Sequence, residues 1–235
     1  MNLMAATGDL IFKLLFSDKR SKKMLIHLLN SIISPNGNPI KDLEVRKTEL
    51  TPEYLGGKEV RLDVVAETSN NEIVNIEMQK NDDPDMADRS LFYWAELYFQ
   101  QLEKGDNYQE LKKTICINIL GEFRLFDDDE FWHIYHMRDS KTFKLLSGKE
   151  EIHFLEMQKM REFRNDNPVT WWIEYLKNPH SEIVQKIGEF EPIIKEAVKM
   201  FDTVTSDPEM REFIRMRNKG LRDFNSAIYH AEARG

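Results

Sequence analysis

The sequence predicts an α/β fold, and three observations support this prediction. Two neighbouring runs, VRLDVVAET (60–68) and EIVNIEMQK (72–80), alternate apolar and polar residues, which is typical of strands that bury one face. Apolar residues at helical spacing precede these runs, and a helical segment and another strand follow them. From residue 168 onward the pattern is helical. The predicted order is therefore αβββαβ, with a mixed central sheet flanked by helices and followed by a C-terminal helical region.

The elements before the two runs are a helix and a strand. Apolar residues recur at helical spacing between residues 9 and 33, with a break predicted near Ser17 and Asp18. The turn residues of 34–37 end this helical segment. A strand is predicted over residues 40–50, and turn residues separate it from the first of the two runs.

The elements after the two runs begin with a helix. Asp83 and Pro84 supply an N-cap and a first-turn proline for a helix of about 20 residues that ends near Lys104 and Gly105. The remaining predicted elements are strands over 114–120, 131–138 and 152–157, and helices from 168 with a break near 206–208. We expect one α/β domain over residues 1–160 and a helical region over residues 161–235.

Composition argues against several classes of protein. Charged residues make up 31% and hydrophobic residues 41% of the 235 residues, as in globular proteins. No apolar run approaches the roughly 20 residues that cross a bilayer, and the N-terminus lacks the basic leader of a signal peptide. The single cysteine, Cys116, excludes an internal disulfide, and one cysteine with six histidines argues against a structural zinc site. We therefore expect a cytoplasmic protein that does not associate with membranes.

The net charge of −8 argues against an ordinary nucleic-acid-binding module, because most such modules carry a basic footprint. Short basic clusters occur, and each is more typical of a solvated face than of a phosphate track. A metal-dependent nuclease tolerates a negative net charge if its groove is locally positive and the bound cation is counted. Charge weakens the nucleic-acid hypothesis without removing it.

Two carboxylates are predicted to face each other across the hairpin. Matching the apolar faces of the two strands requires paired residue numbers with an even sum. A turn centred on Asn70 gives the sum 140, which places Asp63 opposite Glu77. Like charges at the roughly 4.5–5.5 Å of opposed side chains are destabilising unless a cation lies between them. Gln79 points to the same side as Glu77. The pattern indicates a metal site on a sheet, although exposed acidic residues are also common on hairpins.

The candidate ligands are all oxygen atoms, which suits a hard divalent cation such as Mg²⁺, with Mn²⁺ or Ca²⁺ as alternatives. Asp63 and Glu77 would bind the cation directly, with the backbone carbonyl of Met78 as a third ligand. Gln79 would orient a water molecule or a phosphate oxygen. The cation would lower the pKa of a bound water and neutralise charge that develops on phosphorus.

The helix after the hairpin offers a second polar group, a stripe formed by Arg89, Tyr93, Glu96 and Gln100. Laid across the polar face of the hairpin, Arg89 would clamp a phosphate and Tyr93 would donate a hydrogen bond near the metal. The competing interpretation is a solvated stripe with an Arg89–Glu96 contact.

Other polar residues have simpler interpretations. Asp9 and Lys13, one turn apart, are interpretable as a helix-stabilising pair. His133, His136 and His153 lack metal-ligand spacing, and we interpret them as structural histidines.

Several stretches together resemble a known family. Asp63 followed by Glu77-x-Gln79 inside an αβββαβ order looks like the PD-(D/E)XK nuclease superfamily, a restriction-endonuclease-like fold, with Gln79 where lysine is usual. More closely, the chain resembles the Rpn family of recombination-promoting nucleases and transposases. The matching stretches are DLIFKLLF (9–16), GGKEVRLDVVAE (56–67), NIEMQ (75–79), RSLFYWAELYFQQLEKGDNY (89–108), ICINIL (115–120), IHFLEMQK (152–159) and FIRMRNKGLRDFNSAIYHAEARG (213–235).

The resemblance implies a Mg²⁺-dependent DNA endonuclease linked to recombination or to mobile elements. Separately, a homo-oligomer is a candidate state of the protein. It implies Asp63 and Glu77 as metal ligands and Gln79 in the third catalytic position. Family motif positions near the site fall on Asp9, Lys13, Arg89 and Tyr93. Gln79 cannot supply the positive charge of the usual lysine, so stabilisation of the transition state would depend more on the metal and on Arg89. The alternative is a catalytically weak or inactive module that acts in DNA targeting or oligomerisation.

Overall fold

The structure is a computed structural model that describes residues 9–33, 38–46, 64–161 and 163–212, together with 215, 216, 219, 220 and 226. The elements of the first half are α1 (Asp9–Ser17), α2 (Lys22–Ile33), β1 (Leu43–Arg46), β2 (Val64–Thr68), β3 (Glu72–Gln79) and α3 (Met86–Phe99). Those of the second half are β4 (Lys113–Leu120), β5 (Trp132–Tyr135), β6 (Glu150–Glu156), α4 (Pro168–Lys177), α5 (Glu182–Phe190) and α6 (Pro192–Ser206). The predicted αβββαβ order is confirmed.

The six strands form one mixed sheet in the order β1-β2-β3-β4-β6-β5. The pairs β3–β4 and β4–β6 are parallel, and the other pairs are antiparallel. Helices cover both faces, so the predicted α/β class with helices at the C-terminal end is confirmed. The parallel strands in the centre explain why ICINIL is almost wholly apolar, since strands buried on both faces read as continuous apolar runs.

One face of the sheet carries the main core. The residues predicted for the apolar face of the hairpin are all buried there, namely Val64, Ala66, Val74, Ile76 and Met78, and Leu62 lies outside the described residues. The side chains of α1, α2, α4, α5 and α6 pack into the same core, together with Ile115, Ile117 and Ile119 of β4. The face predicted as apolar is therefore confirmed.

The opposite face of the sheet differs from the prediction. The alternating pattern predicted that this face of β3 is polar and exposed, but Asn75 and Glu77 are only 1% and 5% exposed. Helix α3 packs over β4 and β6 on this side, and its Trp94 and Leu97 join a second apolar cluster. Polar residues on β3 are thus enclosed, because a strand in the middle of an α/β sheet has no free face.

The boundaries of several elements also differ. Helix α3 has 14 residues and starts at Met86, so the prediction that Asp83 and Pro84 begin it is wrong. The carboxylate of Asp83 instead accepts a bond from the backbone N–H of Asp85 at 3.0 Å and pairs with Arg89. Strand β5 has four residues rather than the eight predicted over 131–138.

The first and last predicted breaks are confirmed. Helix α1 ends at Ser17, where Asp18 caps a short 3₁₀ turn through a 2.8 Å bond from the N–H of Arg20. Helix α6 ends at Ser206. Helices α4 and α6 contact α2 directly. The division of the chain at residue 160 stays a prediction. Among the described residues, no helix is long and apolar enough to cross a membrane.

Candidate active site

Glu77 lies near the end of the central strand β3, buried under α3. The β2–β3 pairing that orients it has the predicted register, since Val64 lies opposite Ile76 and Ala66 opposite Val74, both with the sum 140. Asp63, the proposed partner of Glu77, directly precedes Val64 and lies outside the described residues. The register prediction is confirmed for every described pair, and the site assignment of Asp63 stays a prediction.

Arg89 of α3 is a cation that faces Glu77. Its guanidinium pairs with Oε1 of Glu77 through one terminal nitrogen and with Oδ2 of Asp83 through the other. The guanidinium also lies 5.6 Å from the centre of the Tyr93 ring. In the polar stripe of α3, Glu96 instead accepts a 3.0 Å bond from Gln100. Of the two interpretations of this stripe, the structure favours the one in which Arg89 faces the hairpin.

Electrostatics keep this group of side chains in fixed protonation states. Burial alone would lower the pKa of Arg89, but the negative charges of Glu77 and Asp83, with Tyr93, raise it above its ordinary value. Burial and the charge of Glu77 raise the pKa of Tyr93. Near neutral pH the site therefore contains a permanent guanidinium and a neutral phenol that can donate a hydrogen bond.

Gln79 and Met78 extend the site along β3. Gln79 is half-buried at the last position of the strand, and its Nε2 donates to the carbonyl of Asn81 at 3.2 Å. It lies on the same face as Glu77, two residues further along. The side chain of Met78 lies in the main core, so a ligand role there concerns only its backbone carbonyl. The proposed roles of both residues stay predictions.

Asp9 and Lys13 belong to α1. Asp9 begins the helix, and its side chain lies outside the described residues. Lys13 is half-buried one turn later, and α1 contacts β2 and β3. The prediction that Asp9 and Lys13 lie near Glu77 stays a prediction.

Asn118 is a residue of this face that the sequence analysis missed. It lies beside Glu77 in the parallel β3–β4 register and is 1% exposed. Its Nδ2 donates to Ser90 Oγ at 2.7 Å and to the backbone carbonyl of His153 at 3.0 Å. Its Oδ1 is buried and accepts no hydrogen bond from the described residues. The available signal was an amide in the middle of an apolar strand, which is unusual for a buried position.

Cys116 lies on the same face of β4, two residues before Asn118. The thiol is fully buried. Burial and the nearby charge of Glu77 raise its pKa far above the ordinary range, so it is a neutral thiol without nucleophilic character. The chemistry of this face therefore comes from oxygen and nitrogen atoms.

These atoms fit a hard divalent cation. Glu77 supplies a carboxylate, and Asn118 supplies a buried carbonyl oxygen that has no donor within the part of the chain that the structure describes. Hard cations such as Mg²⁺ select carboxylate and carbonyl oxygens and retain water molecules, whereas softer metals select thiolates and imidazoles. No histidine or cysteine thiolate of the described residues is needed to complete such a site.

A second group of metal-ligating atoms lies elsewhere, where Asp128, His133 and Glu156 approach within 4.8 Å of one another. Sequence spacing gave no sign of it, because the residues come from three separate segments. Lys159 Nζ lies 2.7 Å from Glu156 and 2.9 Å from Asp128, so an ammonium group already pairs with both carboxylates and compensates part of their negative charge. His133 Nε2 is 3.1 Å from the carbonyl of Glu130. This group is best described as an ion-pair cluster in which Glu156 and Lys159 are buried and Asp128 is exposed.

The other two predicted structural histidines have backbone or side-chain partners. His153 lies 2.7 Å from Glu151 and accepts a 3.1 Å bond from Trp132, and His136 lies 2.9 Å from the carbonyl of Glu150. These contacts hold the β5–β6 edge of the sheet together.

Comparison of the sequence with protein families gives one match. A family model described as PD-(D/E)XK nuclease family transposase covers residues 6–231. The chain belongs to this family. Membership agrees with the strand order and with the helices at the C-terminal end, and it supports a nuclease-type function. PD-(D/E)XK nucleases generally use divalent metals. Comparisons with curated proteins and with solved structures give no match.

Proposed function

We propose that the protein is a metal-dependent DNA endonuclease that hydrolyses phosphodiester bonds during recombination or transposition of mobile elements. The observation that carries the proposal is a buried carboxylate, Glu77, paired with Arg89 on the central strand of a PD-(D/E)XK family member. The residue numbers of Asp63 and Glu77 add up to 140, as do those of every described β2–β3 pair. We assign Asp63, Glu77 and the carbonyl of Met78 as ligands of Mg²⁺, with Mn²⁺ or Ca²⁺ as substitutes.

Burial of Glu77 is costly, and this cost supports a functional role. Removing a carboxylate from water costs several kcal/mol unless a partner compensates it. Arg89 provides that compensation, and a guanidinium can hold two oxygen atoms in parallel. A single arginine that bridges Glu77 and Asp83 is therefore fixed beside the proposed cation site, where its positive charge can act on a bound phosphate.

The residues divide the reaction between them. When bound, the cation supplies a Lewis acid and lowers the pKa of the attacking water. Gln79 orients that water through its neutral amide, and it brings no charge of its own. Arg89 supplies the positive charge that stabilises the transition state, and Tyr93 donates a hydrogen bond to the phosphate. The Glu77 carboxylate is held in place by the strand and by α3, so little reorganisation is needed.

The remaining features of the proposal are the partners and the setting. DNA is the proposed substrate, and a negative net charge is compatible with it if the cation and Arg89 make the groove locally positive. A homo-oligomer, a cytoplasmic location and a division into residues 1–160 and 161–235 stay predictions.

The test is nicking of supercoiled plasmid by the purified chain with Mg²⁺, Mn²⁺ or no added metal. We expect metal-dependent nicking that is lost in Asp63→Ala and in Glu77→Ala. Glu72→Gln is the matched control, because Glu72 is a half-buried glutamate at the other end of the same strand, and it should retain activity. Nicking that survives in both alanine variants would contradict the site assignment.

A calorimetric titration separates the proposal from the inactive module. Saturable binding of Mn²⁺ that requires Glu77 supports the endonuclease. Absence of saturable binding, together with a stable oligomer in light scattering, would instead support a module that acts in DNA targeting or oligomerisation.

A further inference from the structure

We propose that Asn118 is part of the cation site, and that its side-chain carbonyl accepts a hydrogen bond from the hydration shell of the cation bound at Glu77. The inference rests on the proposed function and extends it to a residue of β4. It assigns Asn118 as a positioning residue that contacts the cation through water and does not bind it directly.

The placement of Asn118 follows from the sheet. Glu77 and Asn118 are partners in the parallel β3–β4 pairing. Partners on adjacent strands project to the same face, and adjacent strands lie about 4.8 Å apart. The amide is therefore the neighbour of the carboxylate on the enclosed face below α3, and both are almost fully buried.

The orientation of the amide is fixed by its partners. Nδ2 lies 3.0 Å from the backbone carbonyl of His153, which can only accept a hydrogen bond. A flipped amide would place two acceptors together, so the nitrogen must face β6. Nδ2 also donates to Ser90 of α3. The oxygen on the other side of Cγ is consequently turned away from β6, toward the strand that carries Glu77.

The lone pairs of Asn118 Oδ1 then indicate which ligand this oxygen would contact. A buried carbonyl oxygen without a donor is destabilising, and native structures seldom contain one without a reason. Mg²⁺ keeps several of its water molecules, and these are strong donors. A neutral amide can accept from them without adding a second negative charge beside Glu77. An aspartate at this position would repel Glu77 whenever the cation is absent.

A purely structural role would give a different pattern of effects. Asn118 also fastens α3 to the sheet through Ser90, the residue next to Arg89. If this contact were the whole role of Asn118, Ser90→Ala and Asn118→Ala would weaken cation binding to the same extent. The two roles separate when the oxygen is removed in one variant and made negative in another.

The experiment measures the dissociation constant of Mn²⁺ by isothermal titration calorimetry at neutral pH, with the full chain and Asn118→Ala, Asn118→Asp and Ser90→Ala. We expect Asn118→Ala to weaken binding about tenfold, as is typical when a group that supports a metal site from outside its ligands is removed. Asn118→Asp should bind at least as tightly as the natural chain, although both variants lose the bond to His153. Ser90→Ala should stay within about twofold, because it leaves the oxygen of Asn118 in place.

The outcomes distinguish the inference from the proposed function. Equal weakening in Asn118→Ala and Asn118→Asp, or no change in either, would overturn the role of Asn118 while Glu77-dependent binding remained intact. Absence of saturable Mn²⁺ binding by the natural chain would overturn both proposals. Circular dichroism melting of each variant verifies the fold, and if Asn118→Asp does not fold, the ratio of the affinities of Asn118→Ala and Ser90→Ala decides the question.

Discussion

Replacement of Arg89 by methionine tests directly whether Arg89 stabilises the buried carboxylate of Glu77. The change keeps most of the side-chain volume but removes the guanidinium that pairs with Glu77 and Asp83. Glu77 then remains in a site where its side chain is only 6% exposed. Breaking a fully buried ion pair on one side costs about 3–5 kcal/mol, because the remaining charge is left without compensation.

The expected loss is smaller than this limit, since the Arg89 side chain is 32% exposed and solvent screens part of the interaction. We expect Arg89→Met to lower the free energy of unfolding by about 2 kcal/mol. For a chain of this length the melting temperature should fall by about 4–8 °C. Most of the loss should disappear in the double variant Arg89→Met/Glu77→Gln, because position 77 then no longer carries a buried charge and the Asp83 side chain is more exposed, at 17% against 6% for Glu77.

The assay is urea denaturation followed by fluorescence, with and without Mn²⁺. The cation should stabilise Arg89→Met more than the natural chain, because it replaces the missing positive charge beside Glu77. Arg20→Met is the control, since the Arg20–Asp18 pair lies at the surface. The reasoning fails if Arg89→Met is as stable as the natural chain, or if the double variant is as unstable as Arg89→Met alone.

Two further predictions concern ion pairs outside the candidate site. Burial opposes the ionisation of Glu151, but His153 and Lys113 lower its pKa to about 2. Because the pKa is depressed in the folded state, the stabilisation of up to about 3 kcal/mol is present above the ordinary value of 4.5 and is lost as the pH falls toward 2. Glu151→Gln should therefore flatten the acid side of a stability profile measured by urea denaturation, and an unchanged acid limb would count against this reasoning. Lys159→Met leaves the buried carboxylate of Glu156 without its ammonium partner and should cost about 3–5 kcal/mol. Added Zn²⁺ should raise the melting temperature of this variant but not of the natural chain, and equal responses would contradict the view that Lys159 excludes a metal there.

The sequence was sufficient for features that depend on local periodicity. The parity of apolar residues in the hairpin determined which residues pair, and the β2–β3 register agrees at every described position. The spacing of apolar residues identified the break after α1 near Ser17 and Asp18 and the start of the helical pattern at Pro168, where α4 begins. These signals act over a few residues, and no distant part of the chain overrides them.

The start of α3 was mispredicted because the Asp83 side chain binds other groups and does not cap the helix. Its carboxylate has the character of an N-cap, yet it binds Arg89 and the turn before the helix, so α3 begins three residues later than Asp83. A tertiary ion pair thus outweighs a local capping preference. Sequence spacing alone does not reveal which partner a carboxylate will choose.

Asn118 and the Asp128–His133–Glu156 group were missed for a related reason. Asn118 depends on the pairing of β3 with β4, and the Asp128–His133–Glu156 group depends on the pairing of β5 with β6. An amide within ICINIL becomes meaningful only when the register places it beside Glu77. Hairpins reveal their register through the short turn, whereas parallel strands joined by a helix do not.

The two faces of the sheet are covered very unequally, and this inequality sets where the molecule can open. Helices α1, α2 and α4 to α6 share one core on one side, whereas α3 covers much of the other. Partial opening should therefore begin with α3, whose polar attachments to β4 run through Ser90 and Trp94. Such an opening would uncover Cys116, a thiol that is otherwise inaccessible. The rate at which a thiol reagent modifies Cys116 in the folded protein then reports how often α3 opens. A cation bound at Glu77, below α3, should lower that rate.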